Sequence, residues 1–203
     1  QEIGATTAND LQQQMMANMP SHMRKHWATC AIGSELAKQY MAGSTLITTA
    51  GAPAGEVRKA HEQFLYYLIL HEMGHTLGLN HNMKASQLFS PKELADKNVI
   101  EGKALSGSVM DYPAPRVKLT NGKIDLSDAY GVGIGEWDKF TTRYLYAETD
   151  DAARSLAQAA QAKGYRFVSD NDSRPTSTGN PEGALWDDFA DPVAELSRVM
   201  QVR

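Results

Sequence analysis

A helix-rich α+β fold with little sheet follows from three features of the sequence. Residues 56–77 carry one helical pattern, with Phe64, Leu65, Leu68, Ile69 and Met73 as its apolar face, because apolar residues recur there at three- and four-residue spacing. Residues 150–163 are alanine-rich and charged and are closed by Gly164, the composition of a second helix with a left-handed stop. Against these, the one short β-branched run of the first third is STLITTA at 44–50, so the expected sheet is small.

Taken in order, residues 10–19 and 21–41 are helix-forming and are separated by Pro20 and Ser21, which suit a break and a new N-cap. A helical hairpin within an N-terminal helical segment, residues 1–55, is expected, with the strand at 44–50 and the loop GAPAG after it. Gly78 is placed to end the long helix. SPKEL at 90–94 is a capping box that starts a short helix, since Ser90 can accept from the third helical N–H while Glu93 reaches back. Beyond the loop SGSVMDYPAP and a polar turn at Asn121 and Gly122, Trp137, Phe140, Tyr144 and Leu145 fall at helical spacing behind Gly135 and are expected to be core. Residues 165–168 suit a brief strand and 170–183 a loop. Asp191 and Pro192 cap a last helix toward Val202, so residues 130–203 form a C-terminal helical part with no internal repeat.

A length of 203 residues with 42% apolar content is enough to bury a core in one domain covering the whole chain. The net charge is -4, and the densest basic stretch, residues 116–123, holds three positive charges; a nucleic-acid partner is therefore not expected. The single cysteine, Cys30, excludes an internal disulfide and is expected to be a small core residue. No apolar run reaches the length of a membrane span. The start QEIGATTAND lacks the basic and apolar regions of a signal peptide, so the chain reads as a mature protein or a domain excised from an exported parent.

The chemistry is concentrated in residues 71–81, HEMGHTLGLNH. His71 and His75 stand one helical turn apart, so both imidazoles can hold one ion. A catalytic zinc needs a third protein ligand and an open position, and His81 supplies the ligand if the chain turns back. Gly78 allows that, because a residue without Cβ adopts positive φ. Glu72 lies beside the ligands without being one and can act as general base toward a water whose pKa zinc lowers from 15.7 to about 7. A purely structural zinc would usually close all four positions, often with cysteine, and nothing near this cluster offers a fourth ligand. His22 and His26 are four apart on a helix and read as a solvated face, and His61 reads as surface.

This stretch matches the H-E-x-x-H-x-x-G-x-x-H signature of the metzincin zinc peptidases. SVMDY at 108–112 resembles their methionine turn, with Met110 as its methionine, and Tyr112 falls where related families keep an oxyanion-stabilising tyrosine. Together with KIDLSDAYGVGIGEWDKFTTRYLY and the tail LWDDFADPVAELSRVMQVR, the likeness is to a little-characterised group of large bacterial zinc-dependent metallopeptidases and runs from residue 60 to the C-terminus. The resemblance implies a metzincin-like catalytic domain. Residues 56–82 would form the zinc helix and third ligand and 106–117 the methionine-turn region, with one zinc per chain and endopeptidase action on a peptide or protein substrate. It also implies that Pro113, Ala114, Pro115 and Val117 line the pocket for the side chain after the scissile bond. Asn82, after the third histidine, departs from the better-known subfamilies, so their substrate preferences do not transfer. The sheet that precedes the zinc helix in metzincins is largely missing, which implies an uncovered patch at Phe64, Leu65, Leu68 and Ile69 and self-association through it. A zinc-retaining inactive binding module and a zinc hydrolase of non-peptide amides remain as alternatives.

Overall fold

The computed structural model of the chain describes Met41, Thr45 and residues 51–100, 104–173, 180, 182–187 and 190–202. Contacts divide the chain into two units, residues 1–41 and 42–203, and every helix and strand with described bounds belongs to the second. Of the first unit only Met41 is described, in helical conformation; the rest of the expected hairpin, with Cys30, His22 and His26, lies outside the described residues. Of the strand expected at 44–50 only Thr45 is described, and it is helical. β-Branched composition is a weak preference that surroundings override.

Helix α1 spans Ala54–Thr76 and buries Ala60, Phe64, Tyr67, His71 and Gly74. Of the expected apolar face Phe64 is buried, against the uncovered patch expected there, and Leu68 is half-buried; Leu65, Ile69 and Met73 are 55%, 59% and 55% exposed, so the packed face lies roughly a third of a turn from the expected one. Hydrophobicity alone pointed outward. The packed face instead carries a phenol, an imidazole and a glycine, which hydrophobic patterning does not count. Gln63 clamps the facing loop, donating to the Ser127 carbonyl at 2.7 Å and accepting from Ala129 N at 2.9 Å. Phe64 and Tyr67 pack on Tyr130, with ring centroids 5.3 and 6.2 Å apart. His61 is half-buried rather than on the surface.

A 3₁₀ turn, Ala85–Leu88, leads to helices α2, Pro91–Ala95, and α3, Lys97–Ile100. The Ser90–Glu93 capping box forms as expected, and Leu94 and Ile100 pack with Phe89, Val99, Leu105 and Ala194. The sheet among the described residues is one antiparallel hairpin, β1 Lys118–Thr120 and β2 Lys123–Asp125, with Leu119 opposite Ile124. Its turn residues Asn121 and Gly122 have φ of 53° and 74°, the two positive values of a tight type I′ hairpin. Only a polar turn was legible here, because three-residue strands are too short to show alternation.

Helix α4, Glu136–Leu145, and helix α5, Asp150–Ala162, pack together. Trp137 contacts Phe140 and Phe167 at ring-centroid distances of 5.2 and 5.5 Å, yet it is only half-buried, and Tyr144 and Leu145 are exposed. The expected core is thus a partly solvated aromatic cluster, and the buried residue of α4 is Asp138. Residues 165–168 form no strand, although the Val168 carbonyl accepts from Met83 N at 2.8 Å. A four-residue helix, α6 Asp170–Ser173, begins the segment expected as loop, and α7, Pro192–Val202, starts at Asp191, whose carboxylate accepts from Val193 N and Ala194 N. Among the described residues no helix is long and apolar enough to cross a membrane.

Candidate metal centre

The C-terminus of α1 reverses the chain. Gly78 has φ of 86°, its N–H donates to the His75 carbonyl at 3.0 Å, and Leu79 N donates to the Gly74 carbonyl at 3.1 Å. This pair of bonds is the Schellman pattern that a residue with positive φ permits. The reversal brings His81 back to the helix, so that the ring centroids of His71, His75 and His81 lie 4.9, 5.2 and 4.7 Å apart pairwise. One nitrogen from each ring lies within 4.8 Å of the others, and among the described residues this is the group of three able to hold a metal ion.

Each ring is oriented through Nδ1. That of His71 donates to the Val109 carbonyl at 2.6 Å, that of His75 to the Leu79 carbonyl at 3.1 Å, and that of His81 to the carboxylate of Asp170. Acceptors at all three Nδ1 atoms place the remaining lone pair of each ring on Nε2. Nε2 of His75 and Nε2 of His81 are 3.0 Å apart. Nε2 of His71 is buried without a hydrogen-bond partner. A buried polar atom left in this way is costly unless something binds it, and a neutral imidazole is the donor that zinc takes, so the residues fit that ion. Burial foremost, then the neighbouring His81 and His75, lowers the His71 pKa to about 3, which keeps its ring neutral. Glu72 is exposed on α1 between the two helical histidines.

The turn at residues 108–112 is fixed from α4. Asp138, buried, accepts from Ser108 Oγ at 2.5 Å, from Val109 N at 2.9 Å and from Gly135 N at 2.7 Å, and Ser108 Oγ accepts from Met110 N at 3.0 Å. Met110 is fully buried with Leu79 and Val109. Asp111 accepts from Ser86 N at 2.6 Å and from Tyr112 N at 2.7 Å. Burial, with the nearby Asp187 carboxylate adding to it, pushes its pKa up to about 8. Tyr112 is fully buried, its hydroxyl lies 3.0 Å from His81 Nε2, and its ring stacks on Trp186 with centroids 5.5 Å apart.

Three residues that hold this arrangement were not read from the sequence. Asn82 donates through its backbone to the Met110 carbonyl at 2.9 Å and through its amide to the Arg166 carbonyl at 3.0 Å, tying the third histidine's loop to two segments. Asp138 and Gly74 are the others. Each sat inside a motif noticed for different residues, and only tertiary contact reveals its part. Of the expected pocket residues, Pro113 and Ala114 line a cavity with Tyr67, Arg116, Tyr130 and Asp187, whereas Pro115 and Val117 do not line it. Val117 is buried instead.

The three converging imidazoles could hold a metal ion. Residues 55–203 match the family described as Met-zincin, and the chain belongs to that family. Its general class is therefore that of the zinc metallopeptidases. No curated protein and no solved structure matches the chain.

Proposed function

We propose that the chain is a zinc-dependent endopeptidase in which His71, His75 and His81 hold one zinc, Glu72 is the general base and Tyr112 donates to the oxyanion. The observation that carries this reading is the convergence of one nitrogen from each of three imidazoles, with Nε2 of His71 buried without a partner, beside the Tyr112 hydroxyl. Zinc, when bound, supplies a Lewis acid that polarises the scissile carbonyl and acidifies water. Glu72 is exposed one residue from His71 and three from His75, where it can take the proton of the attacking water and pass it to the leaving amine. Tyr112 places a phenolic O–H beside the ligand nitrogens, suited to negative charge that develops on the carbonyl oxygen. The turn at 108–112 corresponds on this reading to the methionine turn, with Met110 as a packed floor and no ligand.

A peptide or protein is the substrate in this proposal. The test is digestion of casein by zinc-loaded protein, with a chelator and with Glu72→Gln. Cleavage that the chelator stops and Glu72→Gln lowers by about 10² to 10⁴ without loss of zinc is the expected result. Intact casein with the centre fully loaded would leave a zinc-binding module or an amidase of other substrates, and full turnover by Glu72→Gln would remove that residue as the base.

A further inference from the structure

We infer that Asp170 is a positioning residue of the metal centre, acting through His81. This rests on the zinc site proposed above. His71 and His75 are carried by α1, whose geometry already sets their direction, but His81 lies on the irregular chain after the helix and needs an anchor of its own. Two contacts from one distant stretch supply it. The Asn82 amide binds the Arg166 carbonyl, and the Asp170 carboxylate, at the start of α6, accepts the His81 Nδ1 proton across 89 positions of sequence. His81 is the one ligand of the three whose Nδ1 meets a carboxylate in place of a backbone carbonyl. A carboxylate there fixes the tautomer with Nε2 unprotonated, holds the ring in the binding direction and makes the imidazole a stronger donor. The contact is sheltered, with the His81 side chain 6% exposed and that of Asp170 30%.

The sequence gives no local sign of this role, since Asp170 begins a polar stretch of Asn, Asp, Ser and Pro that reads as loop. The test is competition for zinc between the full chain and a chromophoric chelator at neutral pH, with melting of each metal-free and zinc-loaded protein. Asp170→Ala should weaken zinc affinity by about 10- to 100-fold, the usual cost of losing an outer partner of a histidine ligand. Its metal-free melting temperature should stay at the parent's while the rise on adding zinc shrinks. Asp170→Asn, which keeps an acceptor oxygen without the charge, should fall between parent and alanine variant. An Asp170→Ala protein with the parent's zinc affinity overturns the inference. If that protein does not fold, Asp170→Asn decides: the parent's affinity overturns the inference, and weaker affinity with an unchanged metal-free melting temperature upholds it. A parent chain that takes up no zinc overturns the metal site itself, a result separable from the others because it is read before any variant.

Discussion

Gly74 rests on the sulfur of Met110: a Cβ built on Gly74 would stand 2.3 Å from Sδ. The helix that carries His71 and His75 thus touches the turn beneath it at a position where a Cβ would have to displace the Met110 side chain. Gly74→Ala should destabilise the protein by about 1–3 kcal/mol, the range for overfilling a packed core, even though alanine is the better helix former. In a double-mutant cycle with Met110→Ala the costs should be less than additive, because truncating the methionine frees the space. Urea unfolding at fixed zinc measures both, and strictly additive costs would mean the two residues do not share that space. Met110→Leu conserves volume and should cost under about 1.5 kcal/mol with zinc content intact.

The Gly74 contact also marks where sequence reasoning stops. His71, His75, Gly78 and His81 were legible because their spacing is set within a dozen residues by helix geometry and one left-handed turn. Capping at Ser90, Gly164 and Asp191 was legible for the same reason. Asn82, Asp138 and Asp170 hold the same centre through partners 84, 29 and 89 residues away, and no local pattern distinguishes them from surface polar residues. The buried face of α1 was misread because packing against the 108–112 turn favours a glycine and an imidazole over the more hydrophobic Leu65 and Ile69.

His75→Ala should remove the one equivalent of zinc expected per chain, since two remaining imidazoles make a poor site. Elemental analysis after desalting decides it, and a full equivalent retained by the variant would refute the ligand set. Acidification should release zinc from the parent chain, because protons compete with the metal for the imidazole nitrogens.

Asp111 ties stability to pH with the opposite sign from an ordinary paired carboxylate. Its pKa rises to about 8 in the fold, through burial first and the Asp187 carboxylate second, against about 3.9 in the unfolded chain. Between those values the native state keeps a proton that the unfolded state has released, so this contribution is complete below about pH 4 and is lost as pH rises through about 8. Asp111→Asn cannot ionise. It should be less stable than the parent near pH 4, since a carboxamide N–H₂ cannot accept from a backbone N–H, and its melting temperature should fall less than the parent's between about pH 5 and 8. Parallel melting curves with chelator present would show that Asp111 is ionised throughout.

Leu65, Ile69 and Met73 repeat every four residues along one exposed edge of α1, and an apolar stripe of this kind favours self-association. Light scattering should show concentration-dependent association of the parent chain that Ile69→Lys reduces, with zinc content unchanged because Ile69 is on the face away from the ligands. A monomer at all concentrations would remove the stripe as an association surface.

Tyr112 offers the sharpest separation of chemistry from packing. Its ring is held on Trp186, whose backbone N–H donates to the Tyr112 carbonyl at 2.8 Å, and its hydroxyl stands 3.0 Å from Nε2 of His81. Tyr112→Phe keeps the ring, the stack and all three imidazoles, so zinc content and melting temperature should match the parent's. The hydroxyl is proposed to donate to an oxygen that becomes negative only as the peptide carbonyl is attacked. Its loss should therefore lower kcat by about 10² to 10³ with little change in KM, the signature of an interaction made in the transition state. Trp186→Ala should lower kcat less, because the phenol stays but loses the surface that aligns it, and adding Tyr112→Phe to that variant should cost less than it does alone. A Tyr112→Phe enzyme with the parent's kcat would reduce the phenol to a packing group. A proportional rise in KM instead would place its hydroxyl on the bound substrate before reaction.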